Sequence, residues 1–316
     1  MGGSLAVGID IGGTKVAAGV VDDEGLVVEQ VRRDTPSTNP TATEETIVEI
    51  VGELSSRHDI LAVGIGAAGF IDADRSTVRF SPHLAWREEP LREVVGSRTG
   101  LPVVIENDAN AGAWAEYRFG AGRGAPVLAC VNLGTGIGGG LVVGGVLQRG
   151  GYGMAAEFGH MTVVPDGRRC ECGNRGCWEQ YVSGNALARE ARELAASNSP
   201  VAQGLLALVG GDVAAITGPV VTEAAQAGDP AAIELFAEMG RALGLGLASL
   251  AAVLDPTRFV IGGGVSAAGE LLLSPAREVF GRSLTGRGYR TEAPVLAAEL
   301  GNDAGFIGAA DLARSN

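Results

Sequence analysis

Two stretches of this sequence share a pattern that restricts the fold: a buried strand, a glycine-rich turn and a second strand. The first lies at 5–21 and turns at Asp10-Ile-Gly-Gly-Thr-Lys15; the second lies at 127–143 and turns at Gly134-Thr-Gly-Ile-Gly-Gly-Gly140. Glycines at strand ends allow the backbone to approach another backbone or a ligand closely. Because the chain has 316 residues, more than most single domains, we expect an α/β fold of two similar lobes of mixed sheet, with a cleft between them.

Hydrophobic periodicity places further strands and helices after each hairpin. Asp229 followed by Pro230 is typical of a helix start, with an N-cap and a proline at the first helical position. We expect a small N-terminal domain of residues 1–112 plus 302–316, and a large domain of residues 113–301. Predicted strands lie at 26–31, 60–65, 103–106 and 259–261, and predicted helices at 43–56, 90–99, 109–119, 183–196, within 221–254, and at 303–314.

The composition disfavours several classes of protein. Hydrophobic residues make up 46% and charged residues 19%, which suffices for two cores and does not indicate disorder. The net charge of −13 disfavours binding to nucleic acid or anionic lipid, because both are themselves negative. The N-terminus lacks the basic segment of a signal peptide, and the longest uncharged run, 125–148, is too rich in glycine for a membrane helix. We therefore expect a cytoplasmic protein.

The glycine-rich turns are typical of phosphate binding, but of neither of the two commonest kinds. Gly134-Thr-Gly-Ile-Gly-Gly139 matches the dinucleotide pattern G-x-G-x-x-G, yet a strand-like segment follows it where that pattern needs a helix. No P-loop motif occurs. The remaining interpretation is a pair of hairpin turns whose N–H groups and Thr135 hydroxyl face a polyphosphate. Asp10 could then orient Mg²⁺, directly or through water, and Thr14 and Lys15 would add a hydroxyl and a cation.

Three of the four cysteines lie within eight residues, at Cys170, Cys172 and Cys177. A disulfide network is disfavoured because three thiols cannot all pair and the chain is expected to be cytoplasmic. Zinc prefers four nitrogen or sulfur ligands, and His160 is the nearest candidate for the fourth. We predict one structural zinc ion held by these four residues, with a redox-active cysteine trio as the alternative. Cys130 lies in a strand pattern and is predicted to be a core thiol.

These motifs together resemble those of a known family. Asp10-Ile-Gly-Gly-Thr-Lys15 and the turn at 133–139 resemble the two phosphate motifs of the sugar kinase/actin/Hsp70 superfamily, and Gly262-Gly-Gly-Val-Ser266 resembles its adenosine motif. Within it, Glu157-Phe-Gly-His160 with the cysteine cluster and Glu179 resembles the zinc-containing signature of ROK sugar kinases. The resemblance extends from about residue 5 to about residue 312. It implies the two-lobed, actin-like ATPase (ribonuclease H-like) fold.

The resemblance also implies a reaction, the transfer of the γ-phosphoryl group of ATP to the C6 hydroxyl of a sugar, with glucose favoured. Asp108 would be the general base, and the alternative is that Asp108 only caps the helix that follows. His160 would bind zinc through one ring nitrogen and a sugar hydroxyl through the other. Gly69 would offer a backbone contact. The implied sugar-binding residues are Gly69, Asn107, Asp108, Glu157, His160 and Glu179.

The cofactors that the motifs imply are ATP with Mg²⁺ and one structural Zn²⁺. The Gly262 motif favours ATP as the donor, and polyphosphate is the alternative. The implied ATP-binding residues are Asp10, Gly12, Gly13, Thr14, Lys15, Gly134, Thr135, Gly136, Gly138, Gly262, Gly263 and Gly264.

Other functions remain open at this point. ROK repressors carry a helix-turn-helix before the first phosphate motif, whereas here that motif's strand begins at residue 5, which together with the acidic charge disfavours DNA binding. A non-catalytic sugar sensor would not need Asp108 with both phosphate turns. Among kinases, mannose, fructose, allose, N-acetylglucosamine or N-acetylmannosamine fits the same motif. The resemblance implies a homo-oligomer, a dimer or a tetramer, with a sugar and ATP as the binding partners.

Overall fold

The computed structural model describes residues 4–197 and 199–315. Packing divides them into two units. Unit 1 contains the described residues up to Pro126, Gly140–Ala156, and those from Glu299 onwards. Unit 2 contains Val127–Gly139 and the described residues of Glu157–Ala298.

The described residues form the following elements in chain order. The strands are β1 (Leu5–Ile11), β2 (Lys15–Val21), β3 (Val27–Asp34), β4 (Ile60–Ala67), β5 (Phe70–Ile71), β6 (Val78–Phe80), β7 (Arg87–Glu89), β8 (Val103–Asn107), β9 (Val127–Leu133), β10 (Ile137–Val143), β11 (Val146–Leu147), β12 (Arg258–Gly262) and β13 (Val295–Ala297). The α-helices are α1 (Pro40–Ser55), α2 (Leu91–Thr99), α3 (Asp108–Phe119), α4 (Gly184–Ala196), α5 (Gln203–Leu208), α6 (Gly218–Gln226), α7 (Pro230–Leu254), α8 (Glu270–Ser283) and α9 (Ala304–Arg314).

The main sheet of unit 1 has the order β3-β2-β1-β4-β8. β1 pairs antiparallel with β2 and parallel with β4, and β4 pairs parallel with β8. Parallel strands end at the same edge of a sheet, and the register places Asp10 beside Gly66 and Ala67 beside Asn107. The topology therefore brings the predicted magnesium and sugar residues of this unit to one sheet edge.

The second five-stranded sheet has the order β11-β10-β9-β12-β13, in which a hairpin again precedes parallel strands. β12 pairs parallel with β9 and with β13. The register places Gly262 beside Asn132, so the glycine motif after β12 and the turn after β9 lie at one edge. This repetition confirms the predicted duplicated α/β fold.

Close helix packing explains several glycines within the strands and helices. In unit 1, α9 lies against β1 and β4 so closely that a Cβ at Gly8 or Gly64 would overlap the carbonyl of Phe306 or Ala309. In unit 2, α7 and α8 approach through Gly240, where a Cβ would lie 2.6 Å from the Leu272 carbonyl oxygen. These contacts bury apolar surface that the two cores need.

Most predicted elements are present, with differences of detail. The predicted helical region 221–254 consists of two helices, α6 and α7, and α7 begins with the predicted Asp229 cap on the Ala232 N–H at 2.9 Å. The small sheet β5-β6-β7 lay outside the prediction, because its strands are only two or three residues long. The domain boundary drawn at residue 112 falls inside α3, which packing assigns as a whole to unit 1.

Among the residues that the structure describes, one helix, α7, is long and apolar enough to cross a membrane by length and composition alone. Half of its most apolar window is buried inside the protein, through packing that includes α8. Such burial is typical of the core helix of a globular domain.

Candidate active site

Two carboxylates at the sheet edge of unit 1, those of Asp10 and Asp108, lie close enough to interact electrostatically. Burial, and then the negative charge of Asp108, raise the pKa of Asp10 to about 7. Burial also raises the pKa of Asp108, although N–H groups, including that of Ala109 at 2.9 Å, oppose this by hydrogen bonding to the ionised form. Both residues are partly exposed. A pair of acids in this state attracts a cation or a proton, which suits magnesium binding and proton transfer.

Asn107, rather than Asp108, caps α3. The Asn107 Oδ1 accepts from the Asn110 N–H at 3.0 Å, while its Nδ2 donates to the Gly69 carbonyl at 3.1 Å. Gly69 has φ 135°, and a Cβ there would overlap the carbonyl of Phe80. The structure thus brings together Gly69, Asn107 and Asp108, and leaves the Asp108 carboxylate outside the capping position.

The turn between β1 and β2, residues 12–14, is hereafter the first turn. The Gly12 N–H donates to the Lys15 carbonyl at 3.0 Å, and the Thr35 hydroxyl donates to the Gly12 carbonyl at 2.9 Å. The exposed His83 lies against this turn, since a Cβ at Gly13 would stand 3.0 Å from the His83 Cβ. The charge of His83 favours the ionised form of Asp108 and so opposes the rise in its pKa.

Unit 2 contains the predicted metal-binding quartet: His160, Cys170, Cys172 and Cys177. Their ligand atoms all lie within 4.8 Å of one another. The Cys170 Sγ is 3.7 Å from the His160 Nδ1, and the Cys172 and Cys177 sulfurs are 3.6 Å apart. A tetrahedral zinc ion with bonds of about 2.3 Å to sulfur separates its sulfur ligands by about 3.7–3.8 Å. The quartet has the spacing of a zinc site.

The chemistry of the quartet also fits a cation. Burial and then the neighbouring thiols raise the pKa of Cys177 to about 12, and burial is the main cause that raises the pKa of Cys170. Adjacent thiols resist ionising together because each new charge repels the next. A divalent ion removes this cost by binding the thiolates directly.

His160 ends a short 3-10 helix, Phe158–His160, that begins directly after Glu157. Its N–H donates to the Glu157 carbonyl at 3.1 Å. Because its Nδ1 is directed at Cys170, the Nε2 lies on the other side of the ring. The sugar contact that the resemblance implied for this second nitrogen stays a prediction.

The turn between β9 and β10, residues 134–136, is hereafter the second turn. The Gly134 N–H donates to the Gly136 carbonyl at 3.0 Å, which closes the turn, and Thr135 is exposed at its apex. A carboxylate lies directly against it: the Glu179 Oε2 accepts from the Ile137 N–H at 3.0 Å. Gly138 follows within β10.

The glycine motif after β12 lies close to the end of β9. Gly263 has φ 82°, a conformation that favours glycine, and a Cβ there would overlap the backbone of Leu133. A Cβ at Gly262 would stand 2.5 Å from the Asn132 Oδ1. Beside Gly264 and Gly134 the space is open, with nothing within 4 Å of a Cβ. In unit 2 the two glycine motifs therefore present open backbone next to each other.

Comparison with known proteins identifies the family of this chain. The sequence model of the ROK family matches residues 6–316. This chain belongs to the ROK family. It is 51% identical to a glucokinase of Streptomyces coelicolor over 310 residues, with 98% of each chain covered. Its structure is similar to that of a ROK family glucokinase from Streptomyces griseus in complex with glucose and AMPPNP, with a TM-score of 0.91, 53% identity, and 99% and 100% of the chains covered. A xylose repressor of Bacillus spizizenii is 28% identical and matches 96% of this chain over 75% of its own length.

Sequence reasoning missed a buried ionic cluster beneath this ROK site. Glu106, 1% exposed, has its Oε2 3.0 Å from the Arg75 Nε and 2.8 Å from the Arg149 Nε. Its Oε1 accepts from the Asn107 N–H at 2.9 Å, so the cluster supports the segment that carries Asp108. Glu106 precedes Asn107 directly and could have been suspected, but nothing in the sequence connects it to Arg75 or Arg149. His83 was missed for the same reason.

Proposed function

We propose that this protein is a glucokinase, which transfers the γ-phosphoryl group of ATP to the C6 hydroxyl of D-glucose. The observation that carries the proposal is an identity of 51–53% over nearly the whole chain to two glucokinases, one of them in complex with glucose and AMPPNP. The acid pair of unit 1 supports the proposal, because it supplies groups for proton transfer and magnesium binding. The products are glucose 6-phosphate and ADP.

In the proposed mechanism Asp108 is the general base. Its carboxylate accepts the proton of the C6 hydroxyl as the oxygen bonds to the γ-phosphorus and the bond from that phosphorus to the β-phosphate oxygen breaks. A raised pKa makes the ionised carboxylate a stronger base. The cluster at Glu106 keeps the Asp108 segment in place through the Asn107 N–H.

The sugar is proposed to be bound by the residues that the family resemblance implies. Gly69 would contribute a backbone contact, and the side chains would be those of Asn107, Asp108, Glu157, His160 and Glu179. Carboxylates suit sugar hydroxyls because each accepts several hydrogen bonds in fixed directions. The direction of the His160 Nδ1 toward Cys170 supports a sugar contact through the other ring nitrogen.

ATP is proposed to be held by the glycine motifs. Backbone N–H groups of the first and second turns, with Thr14, Lys15 and Thr135, would bind the phosphates, and the motif at Gly262–Gly264 would bind the adenosine. Asp10 would hold Mg²⁺ directly or through water, consistent with its raised pKa of about 7.

The quartet is proposed to hold one structural zinc ion. Three thiolates and one imidazole satisfy a tetrahedral ion, so no ligand position is left for chemistry on the phosphate. When bound, zinc would fix the ring orientation and tautomer of His160. The protein's own residues carry out every step of the transfer.

Further parts of the proposal concern the setting of the enzyme. We expect a cytoplasmic homo-oligomer, a dimer or a tetramer, that binds neither nucleic acid nor membrane. Another hexose or an N-acetylhexosamine is the alternative substrate, and polyphosphate the alternative donor. The similarity to a xylose repressor is the observation that favours a sugar-binding regulator as the second candidate function.

A coupled assay of ADP release tests the proposal directly. The purified protein is offered ATP with glucose, mannose, fructose, allose, N-acetylglucosamine and N-acetylmannosamine, and glucose with polyphosphate. We expect the highest kcat/KM with glucose and ATP. A sugar-binding regulator would show sugar binding by calorimetry without ADP release from any of these sugars, and that result would refute the kinase.

A further inference from the structure

The carboxylate of Glu179, next to the metal-binding quartet, contacts the second turn and the residue that follows it. The Glu179 Oε2 accepts from the Ile137 N–H at 3.0 Å, and a Cβ at Gly136 would overlap the same oxygen. We propose that Glu179 is a positioning residue for the second turn and thereby sets the affinity for the nucleotide, in addition to its contact with the sugar. The inference rests on the proposed function, because it assumes that the second turn binds phosphate.

The residues around Glu179 hold it firmly. Trp178 is fully buried, and its Nε1 donates to the Ala242 carbonyl on α7 at 3.1 Å. Cys177 comes directly before Trp178 and belongs to the quartet. The Trp178 N–H donates to the Met161 carbonyl at 2.8 Å, next to His160. Glu179 therefore projects from a backbone that Trp178 anchors through both its side chain and its N–H, which limits how far the carboxylate can move.

The second turn is held from its other flank by the start of α4. The Gly134 carbonyl accepts from the Gly184 N–H at 2.8 Å, and the Thr135 carbonyl accepts from the Asn185 N–H at 3.3 Å. The segment from Cys177 to Asn185 thus contacts the turn twice, through a carboxylate and through a helix start. Hydrogen bonds therefore hold the turn through its carbonyls on one flank and through the Ile137 N–H on the other.

The nucleotide depends on that conformation. An anion site made of backbone N–H groups binds well only when these groups are aimed before the phosphate arrives, because ordering a loop on binding costs affinity. Without Glu179, the Ile137 N–H loses its acceptor and the turn can relax. A residue that contacts only the sugar has no influence on nucleotide affinity while the sugar is absent, and this separates the two roles.

The test measures binding of Mg-AMPPNP without sugar, by calorimetry, on zinc-loaded protein of verified metal content. Glu179→Ala is expected to weaken this binding by about tenfold, the usual scale for loss of a hydrogen bond to a charged acceptor. Glu179→Gln keeps an amide oxygen for the Ile137 N–H and is expected to stay within about twofold of the wild type. For glucose, both variants are expected to bind more weakly. The exposed Glu171→Ala is the matched control and should change neither affinity.

Hydrogen exchange at the Ile137 amide provides a readout that does not depend on ligands. The amide should exchange slowly in the wild type and in Glu179→Gln, and at least about tenfold faster in Glu179→Ala. If Glu179→Ala does not fold, rapid exchange of this amide in the wild type would already overturn the proposal. Unchanged AMPPNP affinity in folded Glu179→Ala would overturn it as well. By contrast, a wild type that binds no nucleotide contradicts the proposed function itself.

Discussion

The first and second turns occupy equivalent places in the two sheets, but the carboxylates beside them differ in state. Beside the first turn, Asp10 has a pKa raised to about 7 by burial and by the charge of Asp108. Beside the second turn, the Glu179 carboxylate already accepts the Ile137 N–H at 3.0 Å. The two equivalent hairpins therefore differ in their electrostatics. In unit 1 the hairpin carries a carboxylate whose charge is unfavourable until a cation or a proton binds. In unit 2 the carboxylate beside the hairpin already has a hydrogen-bond donor.

This difference indicates which functional groups lower the stability of the fold. Charges that are desolvated without a partner lower the free energy of unfolding, and active sites tolerate this because the ligand later supplies the partner. A carboxylate hydrogen-bonded to an N–H group carries less of this cost. We therefore expect substitutions in the acid pair of unit 1 to stabilise the protein while they impair the reaction, and substitutions around the quartet to damage both.

The largest effect is expected from removing the proposed general base. Asp108→Asn keeps the size of the side chain but cannot accept the proton, so kcat should fall by about 10²–10⁴-fold. Steady-state kinetics with glucose and ATP measures it, and Asp23→Asn, an exposed acid of the same unit, is the control. A fall in kcat of less than about tenfold would show that Asp108 is not the general base, and the acid pair would then have no demonstrated part in proton transfer.

Loss of the metal should come next and should affect unit 2. Cys172→Ser removes one ligand of the quartet, so zinc content should drop well below one per chain, and the KM for glucose should rise as His160 loses its orientation. At a free zinc concentration of about 1,000 Kd, the bound ion stabilises the fold by about 4 kcal/mol, which Cys172→Ser forfeits. Metal analysis and thermal melting measure both effects. Cys130→Ala, which leaves the quartet intact, should retain the zinc; equal zinc in both variants would contradict the assignment.

Asp10→Asn tests the opposite expectation for unit 1, a gain in stability with a loss of activity. The pKa of Asp10 rises on folding from 3.8 to about 7, so the folded protein binds the proton more tightly. The free energy of unfolding therefore falls as the pH rises between these values. Allowing for solvent screening, Asp10→Asn should stabilise the Mg²⁺-free protein by about 2–3 kcal/mol at pH 8 and by almost nothing at pH 3.

Thermal melting at both pH values, without nucleotide, checks the prediction for Asp10, and the exposed Asp59→Asn is the control. The kcat of Asp10→Asn should fall at the same time, because its proposed role is to hold magnesium. A variant that is destabilised at pH 8 would mean that Asp10 is already satisfied in the fold, and the contrast between the two turns would then disappear.

Much of this could be predicted from the sequence, because the decisive features are local. The glycine turns and the cysteine cluster carry their chemistry in consecutive residues, so fold and metal site were within reach of pattern reasoning. The contacts of Glu106 with Arg75 and Arg149 join segments more than thirty residues apart. Neither hydrophobic periodicity nor a sequence motif predicts such a long-range ion pair. The bond from Ile137 to Glu179 spans 42 residues and was invisible for the same reason.

A second pair of neighbouring acids in unit 1, Glu44 and Glu89, lies away from the proposed active site. Glu44 on α1 is buried with 8% of its surface exposed, and burial, followed by the charge and hydrogen bond of Glu89, raises its pKa to about 6. The position lies on the apolar face of α1, next to Ile47, rather than beside the first turn. We therefore expect the charge of Glu44 to lower the stability of the protein without contributing to the reaction.

Glu44→Gln should give the smallest of these effects, and one without a kinetic penalty. The folded protein binds this proton more tightly than the unfolded chain does, so the free energy of unfolding falls as the pH rises from 4.5 to about 6. Allowing for solvent screening, the substitution should stabilise the protein by at most about 1 kcal/mol at pH 7.5 and by almost nothing at pH 3.5. Denaturant unfolding at the two pH values measures this, with the exposed Glu49→Gln on the same helix as control. An unchanged kcat would show that Glu44, unlike Asp10 and Asp108, has no part in the reaction. A loss of activity would show that an acid away from the sheet edge also contributes to it.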